Sequence, residues 1–142
     1  MEALARTRLA ACGAAVLTVG AGLGVRAVGS GSGDVAKYGG DALYTVLVYA
    51  LIVTLAPQAR PFVTALGALG FSCAVELLQL TALPAELAER SRLARLILGS
   101  TFNAPDLTWY AVGALCAGLT HATAASRRRR APARAGGPFA GT

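Results

Sequence analysis

The chain has 142 residues, of which 55% are hydrophobic and 14% charged, and its formal net charge is +6. This composition excludes an ordinary soluble domain and is typical of a polytopic membrane protein. Four runs approach the ~20 apolar residues needed to cross a bilayer, and they leave no room for a separate soluble domain. We therefore predict an all-α, integral membrane four-helix bundle over residues 1–125, with segments 9–27, 39–56, 62–83 and 105–125, followed by a disordered basic tail, 126–142.

The positions of the basic residues predict the orientation. Eight arginines flank the apolar segments at what would be a single side of the membrane: Arg6, Arg8, Arg60, Arg127, Arg128, Arg129, Arg130 and Arg134. Basic residues accumulate in cytoplasmic loops, so both termini are predicted to be cytoplasmic. The arginine-rich tail follows a predicted membrane helix, so we attribute its positive charge to membrane orientation and to attraction by anionic lipid head groups. Nucleic acid is not an expected partner.

The first segment begins like a secretory signal. Arg26 interrupts the region where a cleavage site would lie, which favours a signal anchor retained as the first helix. Gly20 and Gly24 are four residues apart, a spacing that predicts close approach of another helix.

The second segment carries polar residues on one face. Lys37, Asp41, Tyr44 and Thr45 recur at helical spacing near the predicted outer end. Lys37 is equally well explained as an anchor at the water interface. Asp41 needs a further explanation, because a carboxyl group inside a membrane requires a partner.

The third segment contains Glu76 and Gln79, three residues apart and so on one helix face. Burying an ionised side chain at the bilayer centre costs roughly 2.5 kcal/mol or more, and intramembrane acids therefore usually face a bundle interior and have a function. Glu76 is the first functional candidate. Gln79 has the alternative role of a hydrogen bond across helices.

The third connection, 84–103, alternates charged residues with leucines. This pattern predicts a short amphipathic helix at the membrane surface, ended by Gly99. Arg95 lies within an apolar stretch and is expected to point inward, towards a carboxylate or an anionic head group. The alternative for the neighbouring charges is that they face water and have no inward role; these are Glu89, Arg90 and Arg92.

The fourth segment begins at Asn103-Ala-Pro-Asp106. Asn103 is a suitable cap and Asp106 is favoured near a helix N-terminus, which is a sufficient structural explanation for both. Asp106, Tyr110 and Gly113 also share one face. The three cysteines lack metal-type spacing, so neither a metal site nor a cofactor is predicted.

If the four segments cross the membrane with both termini in the cytoplasm, their polar residues lie in its outer half. We predict a ligand pocket beneath the third connection; a structural ion network is the alternative, because charges in lipid must be compensated in either case. The candidate ligand-binding residues are Lys37, Asp41, Glu76, Gln79, Arg95, Asn103, Asp106 and Tyr110.

These residues also carry a family resemblance. The runs Lys37-Tyr-Gly-Gly-Asp41-Ala-Leu-Tyr44, Glu76-Leu-Leu-Gln79 and Arg95-Leu-Ile-Leu-Gly99, with Phe102, Asp106, Tyr110 and Gly113, closely resemble the bacterial domain-of-unknown-function 2809 family. That family is distantly similar to VanZ-like membrane proteins, whose association with teicoplanin resistance implies a role in the cell envelope without an agreed reaction. The expected Trp after Pro84 is absent and Ala94 stands where Gly is usual, which leaves the shape of the third connection open.

Three functions compete. The leading hypothesis is an envelope factor of the bacterial cytoplasmic membrane, with an outward-facing pocket for a lipid or glycan-lipid head group; Lys37 and Arg95 would then bind anionic oxygens. The second is an intramembrane transferase or hydrolase of lipid-linked substrates, with Glu76 or Asp106 as general base. The third is a small proton-coupled carrier or an oligomeric scaffold. The expected partners are membrane lipids, with a lipid-linked glycan and a second copy of the chain as candidates.

Overall fold

A computed structural model describes residues 1–28, 33–98 and 102–130. Every secondary-structure element in these ranges is a helix. The six helices are α1 (Glu2–Val28), α2 (Gly33–Leu55), α3 (Pro61–Leu78), α4 (Leu83–Arg90), α5 (Arg92–Leu98) and α6 (Ala104–Arg130).

Helices α2, α3 and α6 pack against one another, and α1 packs on α2. Helices α2 and α6 run parallel, since Lys37 contacts Asp106 near their starts and the Tyr49 hydroxyl lies 2.8 Å from His121 Nδ1 near their ends. Helix α3 is antiparallel to both, and its Ser72 accepts a 3.0 Å hydrogen bond from Thr45. The chain thus alternates direction through α1, α2, α3 and α6.

The turn between α2 and α3 contains Pro57 and is followed by Pro61. The Ala59 N–H donates to the Ala56 carbonyl, and Pro61 occupies the first turn of α3, where a missing N–H is tolerated. The third helix is shorter than its predicted span, 62–83. Helix α3 ends at Leu78, and both the N–H and the hydroxyl of Thr81 bond to the Leu78 carbonyl.

The third connection forms two helices, so the prediction of a single amphipathic helix is corrected. Ser91 separates α4 from α5 in an extended conformation (φ −147°, ψ 123°), and its hydroxyl accepts a hydrogen bond from the Ala94 N–H. Serine is a preferred N-cap, and this cap starts α5 in a new direction. The predicted stop at Gly99 lies outside the described residues. Helix α6 continues to Arg130, and the remainder of the predicted tail, 131–142, is also outside them.

The packing differs from that of a soluble protein. The largest side chains that are less than 2% exposed belong to Glu76, Thr45, Thr64, Pro84 and Ser72, whereas large apolar side chains such as Leu17 (75%) and Phe62 (72%) point outward. An apolar exterior of this extent indicates a non-aqueous surrounding. Within the described ranges, three helices are long and apolar enough to cross a membrane: Glu2–Ala27, Ala36–Leu55 and Pro61–Leu78.

The closest helix contact is at Gly113. A Cβ atom there would overlap the Ala42 carbonyl oxygen, so the α2 and α6 backbones touch where no other residue fits. The predicted close approach at Gly20 and Gly24 is not present, because a Cβ atom at either position would meet no described atom within 4 Å. That glycine face is open.

We expect Gly113→Ala to destabilise the fold by about 1–3 kcal/mol, the usual penalty of overpacking, because the new methyl group forces α2 and α6 apart. Gly70→Ala is the matched control on α3, where a Cβ atom meets nothing within 4 Å. Thermal unfolding in detergent measures both. Equal unfolding midpoints for the two variants would contradict the close approach.

Candidate functional site

The candidate site lies at one end of the bundle, where α2 and α6 begin and α3 ends. We call this the polar end; it contains Lys37, Asp41, Glu76, Gln79, Asn103, Asp106 and Tyr110. The structure thus brings together seven of the eight residues predicted from the sequence.

Glu76 is the most deeply placed charged residue, with 1% of its surface exposed. Its Oε2 accepts a 2.9 Å hydrogen bond from the Tyr110 hydroxyl, and its Oε1 accepts one from the Asn103 backbone N–H. Asn103 directly precedes α6, so the carboxylate also lies at the positive end of that helix dipole. Both oxygens of Glu76 are therefore satisfied by α6 and the residue before it.

Asp106 is the second buried acid and it connects α6 to α2. Its Oδ1 lies 2.9 Å from Lys37 Nζ and also accepts a hydrogen bond from the Asn103 side-chain amide. The aspartate side chain is 7% exposed, whereas that of Lys37 is 44% exposed. Lys37 thus reaches in from the surface to neutralise a buried carboxylate.

Asp41 is the third acid, and the repulsion from Asp106 exceeds its attraction to Lys37. Its carboxyl group interacts with Asp106 and Glu76 as well as with Lys37. Its Oδ2 is buried and has no hydrogen-bond partner among the described residues, and the same is true of the Tyr44 hydroxyl and of Gln79 Oε1. The Gln79 amide nitrogen, by contrast, donates to the Leu98 carbonyl of α5. Three buried polar atoms therefore have no hydrogen-bond partner among the described residues.

A cavity of about 710 Å³ opens beside these groups. All three acids line it, together with Lys37, Tyr44, Gln79 and Tyr110. The remaining wall is mainly apolar and comes from α1, α2 and α5, including Leu23, Leu47 and Ile97. A cavity with a polar end and an apolar wall is suited to an amphiphilic molecule.

The family profile for "Protein of unknown function (DUF2809)" matches residues 31–114, more than half of the chain. The chain belongs to the DUF2809 family. No curated protein and no solved structure matches it. The DUF2809 match contains Asp41, Glu76, Asp106 and Tyr110, so the polar end lies inside the family region.

In this DUF2809 protein, Arg95 is not part of the polar end. It is exposed and its guanidinium donates a long, 3.5 Å hydrogen bond to the Ala88 carbonyl of α4. The expected inward role is therefore corrected: the break at Ser91 folds α5 back so that Arg95 closes the end of α4. Leu93, Ile97 and Leu98 contact the cavity instead.

Sequence reasoning missed several cavity residues, and two of them, Arg26 and Tyr44, bear directly on the polar end. Arg26 of α1 lines the cavity, and so does Tyr44, which was noted on the face of Asp41 but not chosen as a site residue. Their signals were present in the sequence: an arginine just inside the predicted outer end of α1, and a tyrosine one turn after Asp41. Only the packing of α1 on α2 shows that Arg26 and Asp41 share a cavity.

We expect Tyr110→Phe to lower the free energy of unfolding by about 1–3 kcal/mol, because one oxygen of a buried carboxylate loses its donor. Tyr38→Phe is the matched control: the Tyr38 ring stacks on Trp109, and its hydroxyl makes no hydrogen bond among the described residues. Denaturation of both variants in detergent micelles checks this. A Tyr110→Phe protein as stable as Tyr38→Phe would show that the Tyr110 hydroxyl does not stabilise the Glu76 carboxylate.

Proposed function

We propose that the protein is an envelope factor of the bacterial cytoplasmic membrane, crossing it four times and binding the head group of a lipid or glycan-lipid at its outward-facing polar end. The observation that carries this proposal is the cavity, in which buried polar atoms adjoin an apolar wall inside a bundle with an apolar exterior. Such a site accommodates a head group and the first part of an acyl chain together.

Helix α6 is the proposed fourth crossing. Its 27 residues extend about 40 Å, longer than the hydrocarbon core. It packs against both α2 and α3, and its outward side presents Leu115 and Leu119. The polar residues at its start face the bundle interior, where charged groups inside a membrane are tolerated.

The outward placement of the polar end rests on the positive-inside rule. Arg6 and Arg8 near the start of α1, Arg60 before α3 and the arginines at the end of α6 belong to the opposite end of the bundle. Both termini are then cytoplasmic, and α4 and α5 lie at the outer surface.

An enzyme acting on lipid-linked substrates has less support. A general base needs a free oxygen near the reacting group, and both oxygens of Glu76 already accept hydrogen bonds. Asp106 is held by Lys37 and Asn103. The polar end is arranged for binding more clearly than for proton transfer.

The binding proposal is tested by filling the cavity. Gly40 lines it, and a Cβ atom there meets nothing within 4 Å, so Gly40→Leu projects a side chain into the space without a backbone clash. We expect native mass spectrometry to detect a lipid retained by the unmodified protein and lost from Gly40→Leu. Gly70→Leu on the exposed side of α3 is the control and should retain the lipid. Retention by all three proteins would place the lipid elsewhere, and its absence from all three would reject the proposal.

The orientation is tested separately by cysteine labelling, after the native Cys12, Cys73 and Cys116 have been changed to Ala. Glu89→Cys on α4 should react with a membrane-impermeant maleimide in intact cells, because α4 is placed outside. Gln58→Cys in the turn between α2 and α3 should react only after the cells are opened. The reverse pattern would place the polar end in the cytoplasm.

A further inference from the structure

The polar end is short of hydrogen-bond donors. Its three unpartnered buried atoms are a carboxylate oxygen of Asp41, the amide oxygen of Gln79 and the hydroxyl of Tyr44, and all three residues line the same cavity. The first two atoms can only accept hydrogen bonds, and the third can accept one. A molecule that completes this site must therefore donate.

The site is also short of positive charge. Three acids, Asp41, Glu76 and Asp106, interact at the polar end, and Lys37 is the one cation in contact with them among the described residues. Lys37 is already paired with Asp106, with its Nζ 2.9 Å from Asp106 Oδ1. A cationic donor placed beside Asp41 would supply both the missing charge and the missing hydrogen bonds.

The cavity offers a second, opposite charge near its rim. Arg26 of α1 is exposed and lines the cavity, and no described acid lies within salt-bridge distance of it. Guanidinium groups bind phosphate oxygens well. The cavity thus presents acceptors and negative charge inside, a cation at the rim, and an apolar wall beside both.

Resting on the proposed binding of a lipid head group, we infer that the ligand is a zwitterionic phospholipid bearing a primary amine. The ammonium group donates its three N–H bonds to Asp41, Gln79 and Tyr44, and the phosphate pairs with Arg26. Three donors match three unpartnered acceptors. In this assignment Arg26 binds the anionic oxygens in place of Arg95, which donates to the Ala88 carbonyl and does not line the cavity.

The proposal requires both a positive charge and N–H donors in the head group. Three lipids with the same acyl chains test these two requirements separately. Phosphatidylethanolamine has a positive charge and N–H donors, phosphatidylcholine has the charge without donors, and phosphatidylglycerol has hydroxyl donors without the charge. Native mass spectrometry of delipidated, unmodified protein titrated with each lipid gives three affinities. We expect phosphatidylethanolamine to bind about tenfold or more tightly than either of the others, as for the gain of a charge-assisted hydrogen bond.

Variants assign the selectivity to the residues. Asp41→Asn should weaken phosphatidylethanolamine binding about tenfold, weaken phosphatidylcholine binding by a smaller factor through the lost charge, and leave phosphatidylglycerol nearly unchanged. Arg26→Ala should weaken all three to a similar degree, because all three carry the phosphate. Glu86→Gln, an exposed acid on α4, is the control and should change nothing.

The possible failures are distinguishable. If the unmodified protein binds all three lipids equally, or prefers phosphatidylglycerol, the amine assignment is overturned while lipid binding stands. If none of the lipids binds, both proposals fall. Free ethanolamine is then added as a competitor. If it displaces phosphatidylethanolamine but not phosphatidylglycerol, the amine is the recognised group. If it displaces neither lipid at millimolar concentration, the result counts against a site for the amine alone.

Discussion

The fold depends on how the carboxylate of Glu76 is satisfied. An acid that is 1% exposed within an apolar bundle would be strongly destabilising without partners. Tyr110 supplies one donor, and the Asn103 backbone supplies the other. Because these donors lie on α6 and at its start, the end of α3 and the beginning of α6 are fixed at the same depth. Helices α4 and α5 must therefore leave the end of α3 and return to the same depth. The hydrogen bond from the Gln79 side chain to the Leu98 carbonyl holds the end of α5 at that depth.

Other buried polar groups also need partners, and they find them on neighbouring helices. Asp106 needs a cation and obtains it from Lys37, which ties α6 to the start of α2. Thr45 and Ser72 then join α2 to α3 further along, and Gly113 lets α6 press against the Ala42 backbone. Specific polar contacts and small residues hold these helices, while their large apolar side chains face outward. This is the expected solution in lipid, where apolar surface supplies no driving force between helices.

Much of the polar end could be predicted because helical spacing and alternating direction are encoded locally. The i, i+3 relation of Glu76 and Gln79, with the positions of the arginines, is enough to bring these residues to the level of Lys37 and Asp106. Arg95 could not be placed, since its direction depends on Ser91 interrupting a leucine pattern that is continuous in the sequence. The glycines show the same limit. Gly20 and Gly24 have the spacing of a contact and make none with the part of the chain that is described, whereas the tight contact falls on Gly113, because helix rotation decides which small residue meets a neighbour.

The unpartnered atoms bear on whether the polar end is a structural network or a binding site. A network that serves only to compensate charge is most stable when every buried donor and acceptor is paired and no space is left between them. Here Glu76 and Asp106 meet that condition, yet Asp41, Tyr44 and Gln79 each leave a buried atom unpaired beside a cavity of about 710 Å³. Leaving a buried polar group unsatisfied costs about 1–3 kcal/mol. The lipid proposed above would supply hydrogen-bond donors to these atoms and remove that cost. Since α1 contributes Arg26 to the cavity and packs on α2, that ligand would also strengthen the attachment of α1 to the three-helix core.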